Sequence, residues 1–382
     1  MRFVNMFGRS ALVMGGPLLL LAACSTPTDS VAPLQSEALS FQAPEAIATE
    51  LANPRGITVT PDGAILVAEA GSGGDGPHFM GGEGSELHFG TTGAVTRIDT
   101  NGQRRVLEGL PSLAAEDGTR AVGPNDISLL GNGTTYIATG LGADPAILAD
   151  LGLDGAGLGM TWRVSQARGT LTAIADIAGY EAARNPDGGA IDSNAYGITA
   201  APSGQLVTDA GGNSLLWVAA NGKVTTLAVF PDTMVLAPPM LGLPEGTNIP
   251  MQSVPTSVAV GPDGAYYVGL LTGFPFPVGG ASVMRVVPGE APTVYATGFT
   301  NIVDVAFGPD GNLYVLEIAT NGLLSGDLTG ALKRVVDGVI EEVPGTEGAL
   351  TMPGGFAFDK SGDLYVTNLS VTPAGTVLHF AN

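Results

Sequence analysis

One phrase recurs six times along this chain: a short apolar run, a turn of the Pro-Asp-Gly type, then a second apolar run that usually ends on a polar residue. It reads GITVTPDGAILVAE at 56–69, DISLLGNGTTYIAT at 126–139 and GITAAPSGQLVTD at 197–209. It returns as SVAVGPDGAYYVGL at 257–270, DVAFGPDGNLYVLE at 304–317 and GFAFDKSGDLYVTN at 355–368. A unit this long, repeated six times, constrains architecture more tightly than any single motif. Alternating apolar and small or hydroxylated residues, joined by turn residues, predict hairpins with one buried face. A third run follows in register, as VTRI at 95–98 and VMRV at 283–286, and a fourth follows another tight turn, as KVTTLAVF at 223–230. The expected fold is an all-β, six-bladed β-propeller with four-stranded antiparallel blades, whose radial packing protects sheet edges.

The sixth unit stops after its third strand, at Asn382. Its missing strand is expected from the other end of the chain, because IATELANPRGI at 47–57 aligns with YATGFTNIVDV at 295–305. The N-terminal strand would then join the last blade and close the ring, leaving no unpaired edge.

Residues 1–23 hold Arg2 and Arg9 and then an apolar stretch, Ala11 to Ala23, too short to span a membrane. They are read as a signal peptide. The stretch ends LAAC, and Cys24 is the sole cysteine. This resembles the bacterial lipobox, which implies lipidation of Cys24 and a membrane anchor in the cell envelope. Ser25 after the cysteine favours the outer membrane, with the protein facing the periplasm. Residues 24–43 are expected to be a flexible tether and 44–382 the propeller, acting as a monomer. Removing residues 1–23 takes away two arginines and no acid, leaving 13 basic residues against 36 acidic ones, a net charge of −23. That charge excludes nucleic acid as a partner. Solubility is its first explanation; cation binding is another.

In a propeller, the loops from second to third strand and from fourth strand to the next blade share one face. The long insertions at 71–92, 139–157, 177–195, 229–253 and 271–280 all fall there, which marks that face as the binding side. Two of these loops, FPDTMVLAPPMLGLPEGTNIPM and LTGFPFPVGG, carry Met234, Met240, Met251, Phe274 and Phe276. These form a candidate apolar cup for a small molecule or a protein partner, or else a lid folded on itself. Polar residues gather on the same face. The second strands end on Glu69, Thr139, Asp209, Leu270, Glu317 and Asn368, and the first strands open with Asn125, Asp126 and Asp304. Carboxylates about 7 Å apart repel by roughly 2 to 3 kcal/mol per pair at an effective dielectric of 20. A ring of them would raise pKa values or recruit a cation, for which calcium is the natural candidate. The simpler expectation is that each caps a loop entry by bonding backbone amides.

The Pro-Asp-Gly turns need only turn geometry to explain them. Arg97, Arg163, Arg285 and Arg334 share a strand position that suggests ion pairs between blades. His78 and His88 are a weak metal pair, and His379 is expected to be structural. No nucleophile elbow and no phosphate-binding glycine loop is present.

DAGGNSLLWV at 209–218 is similar to the strand-turn-strand phrase of NHL repeats. The tract from Asn194 to Asn321, with VPTSVAVGPDG, YVGLLTGFPFPVGG and YATGFTNIVDVAFGPDG, resembles the ScyD/ScyE family of secreted bacterial propellers. The resemblance spans nearly all of 45–382. It implies a secreted six-bladed propeller and supplies no catalytic residue. Lactonases of the senescence-marker-protein type share this architecture and hold calcium just ahead of the first strands. The corresponding residues here are Arg55, Asn125, Tyr196, Thr256, Val303 and Gly354, of which only Asn125 resembles a ligand. Quinone-dependent sugar dehydrogenases need a basic pocket and a histidine base, neither of which this acidic chain offers. The expectation is a lipid-anchored binding protein without chemistry of its own, with calcium the one candidate cofactor; the alternative is a calcium-dependent lactonase or gluconolactonase-like hydrolase at the channel mouth.

Overall fold

The computed structural model describes residues 39–81, 85–131, 133–152, 157–165, 169–201 and 203–382. Cys24, the leader and the tether up to residue 38 lie outside the described residues. Each of the six phrases folds as the first two strands of an antiparallel sheet. The sheets have four strands apiece, and blade one adds a short fifth, His78–Met80. The first strands are Pro54–Val59, Pro124–Leu129, Ala195–Ala201, Pro255–Val260, Ile302–Phe307 and Gly355–Phe358. They pack side by side in that order and close into a ring.

The turn between first and second strands is built the same way around the ring. In blade one the Thr60 N–H donates to the Ala64 carbonyl and the Gly63 N–H to the Thr60 carbonyl; blades four and five repeat the pair at Gly261–Ala265 and Gly308–Asn312. Gly63, Gly264 and Gly311 sit at φ 83°, 78° and 80°, where a side chain would be strained.

No single core exists. Six apolar clusters lie one between each pair of neighbouring blades. Leu66, Val95, Ile127 and Ile137 join blades one and two, and Tyr267, Val283, Val305 and Val315 join blades four and five. The cluster between blades six and one holds Leu51, Ile57, Val67 and Val377. Because alternate strand residues face opposite neighbours, every blade is glued on both sides and the ring is stable only when closed.

The expected closure is present. Glu45–Leu51 pairs antiparallel with Gly375–Phe380, with Glu45 opposite His379 and Leu51 opposite Gly375. The packed body starts earlier than residue 44, which corrects the C-terminal end of the expected tether. Leu39 and Phe41 are buried in the cluster between blades five and six, and the Phe41 N–H donates to the Pro344 carbonyl. Apolar residues at 39 and 41, two apart in an extended segment, both find that interface.

The arginines also differ from expectation: their ion pairs lie within blades. Arg97 reaches Asp62 and Asp99, Arg285 reaches Asp263, and Arg334 reaches Glu341. Asp62 and Asp263 are the acids of the Pro-Asp-Gly turns. The third strand runs beside the second, so its arginine meets its own blade's turn before any neighbour's.

Candidate functional site

The acids and amides that end the second strands do not assemble into one ring. Each turns back to cap the corner where its own blade begins. Glu69 accepts the Ala52 N–H (2.7 Å), Asp209 the Asn194 N–H (2.7 Å), Glu317 the Thr300 N–H (2.8 Å) and Asn368 the Thr351 N–H (2.7 Å). Thr139 serves blade two by accepting from the Trp162 indole at 3.0 Å, while Leu270 in blade four is apolar. Two of the acids have a base: Arg105 lies 2.8 Å from Glu69 and Lys333 2.9 Å from Glu317. Asp209 has none among its partners, which are Ser193 Oγ and the backbone of Asn194 and Gly212. Burial raises its pKa to about 6.

A second set lines the channel. The matching position of the six first strands, third in blades one to five and first in blade six, is Gly56, Asp126, Gly197, Ser257, Asp304 and Gly355. Blades two and five are three apart in a ring of six, so Asp126 and Asp304 face one another across the axis. Each staples neighbouring first strands, which belong to separate sheets. Asp126 accepts the Ile198 N–H of blade three at 2.8 Å, and Asp304 accepts the Phe356 N–H of blade six at 2.9 Å and the Ser257 hydroxyl of blade four at 2.6 Å. A Cβ on Gly56 would overlap Asp126 Oδ1, which is why that position is glycine. Burial pushes Asp126 well above the usual carboxylate range, and the opposing Asp304 charge adds to it; Asp304 is raised to about 6 by burial.

Two residues beside these carboxyls were weighed from sequence only as failed calcium ligands. Arg55 is buried and donates to the Ala121 carbonyl at 2.8 Å, and its charge acts on Tyr196, whose phenol burial raises against that effect. The signal was present: an arginine and a tyrosine among small residues at an axial position. Asn125 spends its amide N–H groups on Asn194 Oδ1 and the Ala195 carbonyl, both at 3.1 Å. The Thr256 hydroxyl donates to the Ile302 carbonyl at 2.8 Å. A buried guanidinium, a phenol and committed amides do not suit calcium at the lactonase positions. Among the described residues no group of three or more His, Cys, Asp or Glu stands converged around a metal position.

The apolar cup is mostly exposed, though not wholly. The segment between blades three and four forms its own hairpin, Thr233–Leu236 against Asn248–Met251. On it Met234, Leu236 and Met240 are 59%, 68% and 72% exposed. Phe274 and Val278 on the next loop, and Leu324 and Leu328 on the one after, are exposed as well. Phe276 is half-buried against Phe274, their rings edge to face at 6.4 Å. Met251 departs from expectation: it is buried at the root of the hairpin, where the strand rejoins the body. His78 and His88 stand opposite one another across two paired strands, and His78 contacts Glu86 at 3.1 Å. His379 bonds Asp363 and stacks on Tyr365, a structural role.

No family model matches the chain, and no curated protein matches it. Its structure is similar to many solved ones, among them three propellers. One is a structural genomics protein of unknown function from Bacteroides thetaiotaomicron, with TM-score 0.54 and 10% identity over 90% of this chain and 70% of that one. Another is a putative gluconolactonase, with TM-score 0.51 and 10% identity over 88% and 92%. The third is the PQQ-bound aldose sugar dehydrogenase from Streptomyces coelicolor, with TM-score 0.50 and 12% identity over 89% and 97%. At these identities the likeness carries the fold and no activity. What they share with this chain is the six-bladed β-propeller.

Proposed function

We propose that this protein is a lipid-anchored propeller of the cell envelope, of the ScyD/ScyE kind, that captures a protein partner through the apolar loops of one face. The observation that carries this is the exposure of Met234, Leu236 and Met240 on a projecting hairpin, continued by Phe274, Val278, Leu324 and Leu328. Small-molecule sites are concave and bury their ligand, whereas a projecting apolar edge suits another macromolecule. The channel contributes rigidity: its carboxylates are occupied in stapling blades.

A photo-crosslinking residue at Leu243, in cells, tests the reading. A discrete adduct is expected, lost when Met234, Leu236 and Met240 are changed together to Ser in a protein of unchanged circular dichroism. An adduct indifferent to that change, or none, would refute it. Cys24→Ser is expected to release the protein from membranes.

A hydrolase at the channel mouth is the second reading, favoured by Asp126 and Asp304 facing each other with raised pKa values beside Arg55 and Tyr196. Turnover of a panel of lactones, lost in Tyr196→Phe with the fold intact, would replace the first reading with this one. Asn125→Ala and Asp209→Ala are poorer probes, because both side chains hold backbone in place.

A further inference from the structure

The corner of blade three carries more buried acid than its capping role requires. Helix Ile177–Arg184 is capped by Asp176, which accepts the Gly179 N–H at 2.7 Å, and it turns Glu181 inward until that residue is 1% exposed. Asp187 and Asp192 follow in the segment that returns to the first strand. All of them approach the Gly211–Gly212 turn beyond Asp209. A Cβ on Gly212 would stand 2.7 Å from Glu181 Oε2 and 3.3 Å from Asp209 Cγ, and one on Gly211 would stand 2.9 Å from Asp192 Oδ1. Asp187 joins through Asn213, whose amide donates to it at 2.9 Å.

Several buried polar atoms here lack a partner, Asn185 Oδ1 and Ser214 Oγ among them, and two are carboxylate oxygens. Glu181 Oε1 and Asp192 Oδ1 are buried without a hydrogen-bond partner. Among the described residues no lysine, arginine or histidine acts on Glu181, Asp192 or Asp209, and Arg184 at the end of the helix is exposed. An orphaned buried carboxylate oxygen is costly unless something outside the chain supplies charge.

We infer that this turn is a divalent cation site, with Glu181 and Asp192 as the charged ligands and Asp209 and Asp187 around them. The carboxyls are gathered but not converged, as like charges without a counterion stay apart, and the cation draws the two free oxygens together. An all-oxygen donor set in an irregular loop fits calcium, which accepts six to eight oxygens in loose geometry and takes the remainder from carbonyls and water. Zinc would want nitrogen or sulfur, and none stands here.

Calorimetric titration of calcium into the chelator-treated full chain at neutral pH tests the site, with thermal unfolding as a second readout. One calcium per chain and a raised Tm are expected, with magnesium much weaker. Glu181→Gln with Asp192→Asn is expected to weaken calcium binding about tenfold or more while the metal-free protein keeps its circular dichroism, since both ligand charges are lost. Binding undiminished in that variant would place any calcium elsewhere and overturn the proposal. So would a wild-type chain that takes up no calcium.

Discussion

Blades three and five both end their second strands on an acid, Asp209 and Glu317, and the two corners are neutralised in opposite ways. Glu317 in blade five accepts the Thr300 N–H and meets Lys333, which rises from the adjacent strand. Asp209 in blade three accepts the Asn194 N–H, yet the place of Lys333 on its own third strand is taken by Leu216, and the charge that acts on this corner is another acid, Glu181. The cap is therefore the conserved demand of the architecture, while the countercharge is local. Where a blade supplies a base the corner is closed chemistry; where it supplies more acid, the corner is open to something from outside the chain.

The comparison breaks most visibly if the base is removed from the closed corner. Lys333→Met would leave Glu317 buried without a partner, and loss of one member of a buried pair costs about 3 to 5 kcal/mol. Burial already raises Glu317 despite Lys333, and without the lysine it would rise further. A raised carboxyl is stabilising while protonated and destabilising once ionised, so the loss should be greater at pH 8 than at pH 5. Denaturant unfolding of both proteins at the two pH values checks this; equal losses would mean that Lys333 acts through packing.

The open corner should respond in the other sense. Glu181 has a folded pKa of about 7 against 4.5 when free, so the folded state binds the extra proton between those values. Its contribution is fully present below about pH 4.5 and is lost as pH rises towards 7, by on the order of 3 kcal/mol. Glu181→Gln, in chelator, should therefore raise stability at pH 7.5 and flatten the decline between pH 5 and 7.5. A variant less stable than wild type at both pH values would show that Glu181 holds the helix rather than straining the corner.

The channel offers a milder version of the closed corner. Ser257 bridges blade four to Asp304 of blade five, and its hydroxyl also accepts the Val305 N–H at 3.1 Å. Ser257→Ala should cost about 1 kcal/mol, the usual net worth of such a bond, and should raise the Asp304 pKa above about 6. Carboxyl titration by NMR reads that shift directly.

The scaffold was legible because it is repetition. Six phrases gave six hairpins, and the alignment of 47–57 with 295–305 placed the closing strand that pairs with Gly375–Phe380. The capping role of Glu69, Asp209, Glu317 and Asn368 was legible for the same reason. What stayed hidden depends on features that do not repeat. Glu181 comes from a helix inserted between blades, Lys333 and Arg105 meet their acids across strands, and Arg55 and Tyr196 matter only because the ring brings their first strands together. Met251 looked like its exposed neighbours, since sequence does not say which end of an inserted hairpin is rooted.

Arg97 gives the smallest effect and the control that the comparison needs. It pairs with Asp62 at 2.6 Å and Asp99 at 2.9 Å, but Asp62 is 65% exposed. Water already solvates that acid, so removing the arginine leaves a carboxylate with an alternative. Arg97→Gln should cost no more than about 0.5 kcal/mol, and added salt should erase much of that. Lys333→Met differs because Glu317 is fully buried and has no water to turn to. If Arg97→Gln proved as damaging as Lys333→Met, burial would not be what separates the two pairs, and the reading of blade three as a corner awaiting its countercharge would lose its physical basis.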